Sequence, residues 1–389
     1  MKPNPGGQLS PEHIIGRDVL IADMWGILEG RSIYMNDLRR IGKTQIMVKM
    51  HAQPPTAWVT VKSDLGGIHT AAEFATLAYR QSHEVLGQQK RTLRRMGELL
   101  GKARGIEIAG LIKLPDGSPA PWKEVLRRTF ADIEEEMTAL GSECRMVFFW
   151  DEVPYLLDNI AKREGHTVAM EVLDTLRSLG SDFDRIRLLL TGSIGMHHIL
   201  SELKEQGYNG SPLNRMDLVQ PGPIQPADGI SLSLALLEGQ LVADAGAQAC
   251  ASAIAEAVGH VPFYIHKLIS RLPRTVPATP ASIATLLDRE ITSDNNDWDL
   301  GHYRDRLRPY YAADEKLALL VLDTVAVAGQ LGFQAIRRAA AAQMAVDDEK
   351  LRHLLKLLCM DHYLARTEEN EYRFYLVLIR RWWCLSRSL

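Results

Sequence analysis

Cysteine is scarce in this sequence. Four occur in 389 residues, Cys144, Cys250, Cys359 and Cys384, and no two stand at a CxxC spacing. That excludes a zinc ribbon, a dithiol redox motif and a disulfide-stapled scaffold, and it suits free thiols in a reducing cytoplasm. A strong charge of either sign is also missing. The formal net charge is −3, so no global positive field recruits nucleic acid, and any such contact has to be a local patch. Long apolar runs are absent too: the longest, residues 317–329, carries Asp323 and falls short of the ~20 apolar residues that a membrane-spanning helix needs. No internal repeat marks a solenoid. The opening residues MKPNPGGQLSPEH are polar and proline-rich, with no basic region followed by an apolar one, so no secretory signal is read and a cytoplasmic location is expected. What remains is an ordinary globular composition, 46% hydrophobic and 24% charged, long enough for two or three packed domains.

Residues 33–44 organise the rest. A short apolar run there breaks into Gly42-Lys43-Thr44. After a strand, backbone N–H groups of such a loop wrap phosphate oxygens, Lys43 reaches the β- and γ-phosphates, and the Thr44 hydroxyl ligates Mg²⁺. The first glycine of G-x-x-x-x-G-K-[ST] falls at Asp37, so the pattern is incomplete, and a basic turn before a helix is the competing reading. A carboxylate beside a triphosphate repels it by roughly 1 kcal/mol at 4 Å in water, so the Asp37 side chain is expected to turn away. Residues 45–51 read as the helix whose N-terminus faces the anion, and residues 57–61 as the next strand.

Residues 146–150 form an uninterrupted apolar run that ends in Asp151-Glu152. Such a run suits a strand buried on both faces of a parallel sheet. Two carboxylates at its end have a chemical use: Asp151 holds Mg²⁺ through its water shell, and Glu152 polarises the attacking water as general base. Capping of the next helix would occupy only one of them. Residues 186–190 repeat the pattern and lead into Thr191-Gly192-Ser193, where Ser193 or Thr191 is placed to contact the γ-phosphate or its water. Ser193-Ile194-Gly195 has the outline of a nucleophile elbow, but Thr191 stands where its first glycine belongs.

Five motifs, IIGRD at residues 14–18, RRIGKT, FFWDE, LLLTGSIG and GHVPFY, together resemble the archaeal-type ATPase family of the STAND branch of AAA+ P-loop ATPases, and the resemblance spans nearly the whole chain. It implies an α/β fold of the ASCE P-loop type, a parallel sheet core with an all-helical lid and a C-terminal winged helix. It also implies ATP or ADP with Mg²⁺ as cofactors, with Arg39, Arg40, Ile41, Gly42, Lys43, Thr44 and Gln45 along the phosphates. Ile15, Gly16 and Arg17 would border the base, as would Pro262, although one residue more than the family's spacing separates it from Gly259. Arg215, just before a strand at residues 216–220, stands where related ATPases place an arginine that reaches a neighbour's γ-phosphate; a surface ion pair is the plainer reading.

The expected organisation is a nucleotide-binding core over residues 1–225, a lid over 226–293, a polar linker over 294–309 and a winged helix over 310–389. The last rests on three helical patterns, 316–328, 333–345 and 348–361, followed by two strand patterns, 363–367 and 371–375. Residues 122–140 and 154–177 read as further helices. Two function classes follow. One is an ATPase, slow or not, that acts as a nucleotide-dependent switch for a partner protein, with oligomerisation open. The other is a DNA-associated ATPase that would use Lys350, Arg352 and Lys356 and the basic stretch at residues 79–113 (Arg80, Lys90, Arg91, Arg94, Arg95, Lys102, Arg104, Lys113). Such a stretch is more often a solvated helix face. Arg380-Arg381-Trp382-Trp383 resembles the family's closing motif, its tryptophans expected to pack on the wing.

Overall fold

The structure, a computed structural model, describes residues 1–99, 121–192, 196–240, 246–274, 277–293 and 297–389, leaving aside the side chains of 88–99 and 313. It divides into two compact units: residues 20–36 with 46–220, and residues 1–19 with 37–45 and 221–389. No described helix is long and apolar enough to cross a membrane.

The first unit is built on five strands: β1 (Ser32–Met35), β2 (Trp58–Asp64), β3 (Arg145–Asp151), β4 (Ile186–Thr191) and β5 (Met216–Val219). They lie in the order β2-β3-β4-β1-β5, every pair parallel. This is the ASCE-type core expected from the sequence, with β4 between β1 and β3. Successive side chains of a strand point to opposite faces, and the two faces here fill two separate cores. Met146, Phe148 and Trp150 join Leu188, Leu190, Phe74, Phe130 and Leu176 on one side. Val147 and Phe149 join Ile33, Met35, Leu189, Met24, Met47 and Met50 on the other. Both sides are covered by helices: α1 (Asp18–Gly30), α2 (Lys43–Ala52), α3 (Ala71–Leu99), α4 (Trp122–Leu140), α5 (Val153–Glu164), α6 (His166–Asp182) and α7 (Met196–Glu205). The single helix expected at 154–177 is two, because Gly165 takes φ 96°. Its N–H closes α5 on the Ala161 carbonyl, and the chain restarts as α6.

The second unit begins with four helices, α8 (Pro226–Gln240), α9 (Ala247–Ala257), α10 (Pro262–Arg271) and α11 (Pro280–Ile291). Proline opens three of them, where its missing N–H costs nothing, and a Thr279–Ser282 capping box fixes the start of α11. Two short helices, α12 (His302–Asp305) and α13 (Leu307–Tyr311), lead to the winged helix. That consists of α14 (Glu315–Ala328), β6 (Gln330–Gly332), α15 (Phe333–Ala341), α16 (Asp348–Met360), β7 (Leu364–Arg366), β8 (Glu371–Phe374) and α17 (Val377–Arg387). Its antiparallel sheet has the order β6-β8-β7. Trp383 is fully buried, 6.1 Å from the Phe374 ring of β8, and its indole N–H donates to Asp323 at 2.8 Å. Trp383 therefore packs on the wing, and the Trp382 ring lies against Trp383 at 5.9 Å.

Candidate functional site

The loop between β1 and α2 takes its shape from two left-handed residues, Arg40 at φ 70° and Gly42 at φ 104°. A Cβ at residue 42 would meet nothing within 4 Å, so glycine is required there by the backbone angle and not by space. The turn delivers Lys43 to the first position of α2, where the positive end of the helix dipole favours an anion. Lys43 is buried, 7% exposed, and its ammonium donates to the carbonyl oxygens of Asp37 and Leu38 at 2.7 and 2.8 Å. Thr44 is exposed and Ile41 buried.

Asp37 turns its carboxylate out of the loop. One oxygen accepts from the Leu38 N–H at 2.6 Å and the other from the Gly222 N–H at 2.7 Å. Arg17, 4% exposed, supports the same turn: its guanidinium donates to the carbonyls of Ile41, Pro221 and Gly222 at 2.8 to 3.0 Å. Burial lowers the Arg17 pKa to about 10, against the opposing pull of Asp37 and Asp228, so it remains a cation at neutral pH. Gly16 has φ 72°, and a Cβ there would stand 2.8 Å from Asp228 Cβ. Ile15 is half-buried and packs against the core that holds Leu38, Ile41 and Tyr264.

Arg39 and Arg40 both place Nε 3.0 Å from a carboxylate oxygen of Asp299. Asp299 is itself left-handed at φ 56°. Sequence reasoning missed it; the only signal was its place in the polar linker. Arg40 also lies over the Phe263 ring, 4.7 Å from its centre, next to Pro262, the first residue of α10. The extra residue between Gly259 and Pro262 is absorbed by two consecutive left-handed residues, Gly259 at φ 64° and His260 at φ 56°. The opening segment runs over these elements: the Asn4 N–H donates to His266 Nδ1 at 3.1 Å and the Gln45 amide to the Gly7 carbonyl at 3.3 Å. The Gln45 carbonyl oxygen is buried and has no hydrogen-bond partner among the described residues.

In the sheet unit, Asp151 ends β3 at 7% exposure. One of its oxygens accepts from the Glu152 N–H at 3.0 Å, and its carbonyl accepts from the Leu65 N–H at 2.9 Å. Glu152 is the residue before α5, left-handed at φ 61° and ψ 36°, and its carboxylate makes no cap bond. A non-glycine residue held in that region costs on the order of 1 to 3 kcal/mol and is found disproportionately at functional sites. The register sets Met35 opposite Thr191 and Trp150 opposite Leu190. So β1 and β3 end at the same level, two strand spacings, roughly 10 Å, apart. Between them the Thr191 hydroxyl is completely buried and finds no partner among the described residues. An orphaned hydroxyl costs stability unless something fills its need. Carboxylates beside a hydroxyl at the carboxyl edge of a parallel sheet suit Mg²⁺ and phosphate oxygens. Arg215 lies exposed in the turn before β5. Ser193 is outside the described residues, as are the side chains of every cation in the 79–113 stretch except Arg80, which is exposed on α3.

No family model matches this chain, and no curated protein matches it. Among solved structures, a Walker-type ATPase of Pyrococcus abyssi superposes on 98% of this chain and 99% of its own, with a TM-score of 0.67 at 15% identity. The ORC2 protein of Aeropyrum pernix, in its ADPNP–ADP complexes, covers 100% and 96% at 13% identity with a TM-score of 0.45, too low to carry weight. What the first likeness shows is the fold alone, an α/β chain with a parallel five-stranded sheet. Its fold is similar to that of this Walker-type ATPase over 98% of the chain.

Proposed function

We propose that this chain is a Mg²⁺-dependent P-loop ATPase that works as a nucleotide-dependent switch for a partner protein. The observations that carry the reading are two: in one unit Lys43 is buried at the head of α2 behind two left-handed residues, and in the other an Asp-Glu pair ends β3, which β4 alone separates from β1. Lys43 neutralises charge on the β- and γ-phosphates. Thr44 and Asp151 hold the metal, which when bound withdraws charge from the phosphate oxygens. Glu152 accepts a proton from the attacking water, and Thr191 or Ser193 orients that water or the γ-phosphate. Ile15, Gly16, Arg17 and Pro262 border the base, and Arg39 and Arg40 lie along the phosphates. Arg215, in an exposed turn, is assigned to a neighbouring copy's γ-phosphate. Residues 1–225 act as the core, 226–293 as the lid, 294–309 as the linker and 310–389 as the reporting winged helix. Binding that favours one arrangement of these parts over another shifts their population, and a partner reads the shift.

The test is equilibrium binding of fluorescent ADP with Mg²⁺ and with EDTA, for the wild type and Lys43→Ala. Micromolar binding that needs Mg²⁺ and weakens at least 100-fold in the variant is expected; wild-type protein that does not bind removes the reading.

Duplex DNA as the partner draws less support from the winged helix. Lys350 is 2.5 Å from Asp314, and Arg352 is paired with Glu349 at 2.9 Å and lies over the Phe333 ring. A DNA role predicts a steep negative slope of log affinity against log salt; a flat slope is expected.

A further inference from the structure

The wing hairpin is closed at its base by His362, just before β7, and Tyr375, just after β8. The Tyr375 N–H donates to the Tyr363 carbonyl at 3.0 Å, and the His362 and Tyr375 rings meet edge to face at 5.1 Å. Both side chains reach Asp37. His362 Nε2 lies 3.8 Å from its Oδ1, and the Asp37 charge acts on the Tyr375 hydroxyl, which stands 4.0 Å from where a Cβ on Gly222 would lie. The Asp37 side chain is 0% exposed, so every contact it makes is shielded from water. Burial, and then the Asp37 charge, push the Tyr375 hydroxyl well above its ordinary pKa, so it stays a donor.

Asp37 therefore faces two ways. Its main-chain carbonyl holds the Lys43 ammonium at 2.7 Å, and its carboxylate holds the base of the hairpin and the Gly222 N–H. Glycine, which the phosphate-loop pattern has at this position, could make the first contact and not the second. The link to the hairpin exists in this chain because of the substitution. One residue is too short to absorb a displacement at one end without passing it to the other.

We propose that Asp37 is a positioning residue through which the winged helix sets the shape of the phosphate loop, so that nucleotide in the loop and packing of the wing hairpin are linked reciprocally. The proposal rests on the nucleotide-binding reading of the loop. Linkage is symmetric: if the hairpin contact favours the binding shape of the loop, nucleotide must tighten the hairpin by the same factor. The loop already holds its wrapped conformation with that contact made, so losing the contact weakens binding.

The experiment is a double-mutant cycle on the full chain with Tyr375→Phe, which removes one hydroxyl, and Asp37→Gly, which restores the glycine. Fluorescent ADP with Mg²⁺ is the probe. Tyr375→Phe is expected to weaken ADP binding about five-fold against the wild type and less than two-fold in the Asp37→Gly background; equal effects in both, or none in the wild type, overturn the proposal. A second arm uses amide hydrogen exchange without nucleotide. Tyr375→Phe is expected to speed exchange at residues 38–42 about ten-fold, and unchanged exchange there overturns the coupling even if Asp37→Gly does not fold. If wild-type protein fails to bind ADP but the exchange arm responds, the nucleotide reading fails and the loop-to-wing contact stands.

Discussion

The Lys43 ammonium and the Asp37 carbonyl oxygen are 2.7 Å apart, and the Leu38 carbonyl completes a pair of acceptors around the same nitrogen. A buried ammonium with two such acceptors is part of the loop's own structure. Replacing it by Lys43→Met leaves two carbonyls without that donor, and an unmet buried acceptor costs about 1 to 3 kcal/mol. Ligand-free Lys43→Met is therefore expected to lose about 2 kcal/mol in urea denaturation. A variant as stable as the wild type would mean that water replaces the ammonium freely.

Glu152 occupies a left-handed conformation that glycine adopts without penalty. Glu152→Gly is expected to raise stability by about 1 kcal/mol, or about 2 °C in melting temperature for a unit of this size. It should also abolish turnover. A fall in melting temperature would show that the glutamate side chain contributes more to the fold than its backbone strain removes.

Gly16 has the opposite character. Alanine there meets both a left-handed φ of 72° and an Asp228 Cβ at 2.8 Å. Gly16→Ala is expected to cost about 3 kcal/mol, from the backbone penalty and overpacking together. Adding Asp228→Gly relieves the contact but not the angle, so about half should return; no recovery at all would mean that the angle dominates.

His266 is 2% exposed, and burial depresses its pKa to about 4 from an ordinary value near 6.5. Its ring accepts the Asn4 N–H through Nδ1, so the proton of the neutral ring sits on Nε2. Between the two pKa values the unfolded chain binds the proton and the folded chain does not. Stability is complete above about pH 6.5 and falls as the pH drops toward 4, by about 2 kcal/mol at pH 5 from this residue alone. His302, depressed chiefly by burial as well, adds in the same direction. The check is the denaturation midpoint at pH 7 and pH 5 for the wild type and His266→Asn; identical pH dependence in the two would contradict the assignment.

How much of this was legible in the sequence follows from the range of the interactions. Strands β3 and β4 are buried on both faces, so they stand out as apolar runs, and their ends mark Asp151 and Thr191 without reference to the rest of the chain. Strand β6 has three residues and α17 overlaps the closing tryptophans, so neither produces a separate periodic signal. Gly165 was visible as a letter, but whether a glycine ends a helix depends on its φ. The partners of Asp37 at Gly222, His362 and Tyr375 lie 185 or more positions along the chain. No local pattern encodes them. The same holds for Asp299, which draws Arg39 and Arg40 from about 260 positions away.

The central claim is that Glu152 activates water against a nucleotide held by Lys43. Phosphate release under saturating ATP and Mg²⁺, measured for the wild type and Glu152→Gln with ADP affinity measured in parallel, tests it most directly. Release that falls at least 100-fold in Glu152→Gln while ADP affinity stays within two-fold is the predicted result; equal rates in the two proteins would contradict it.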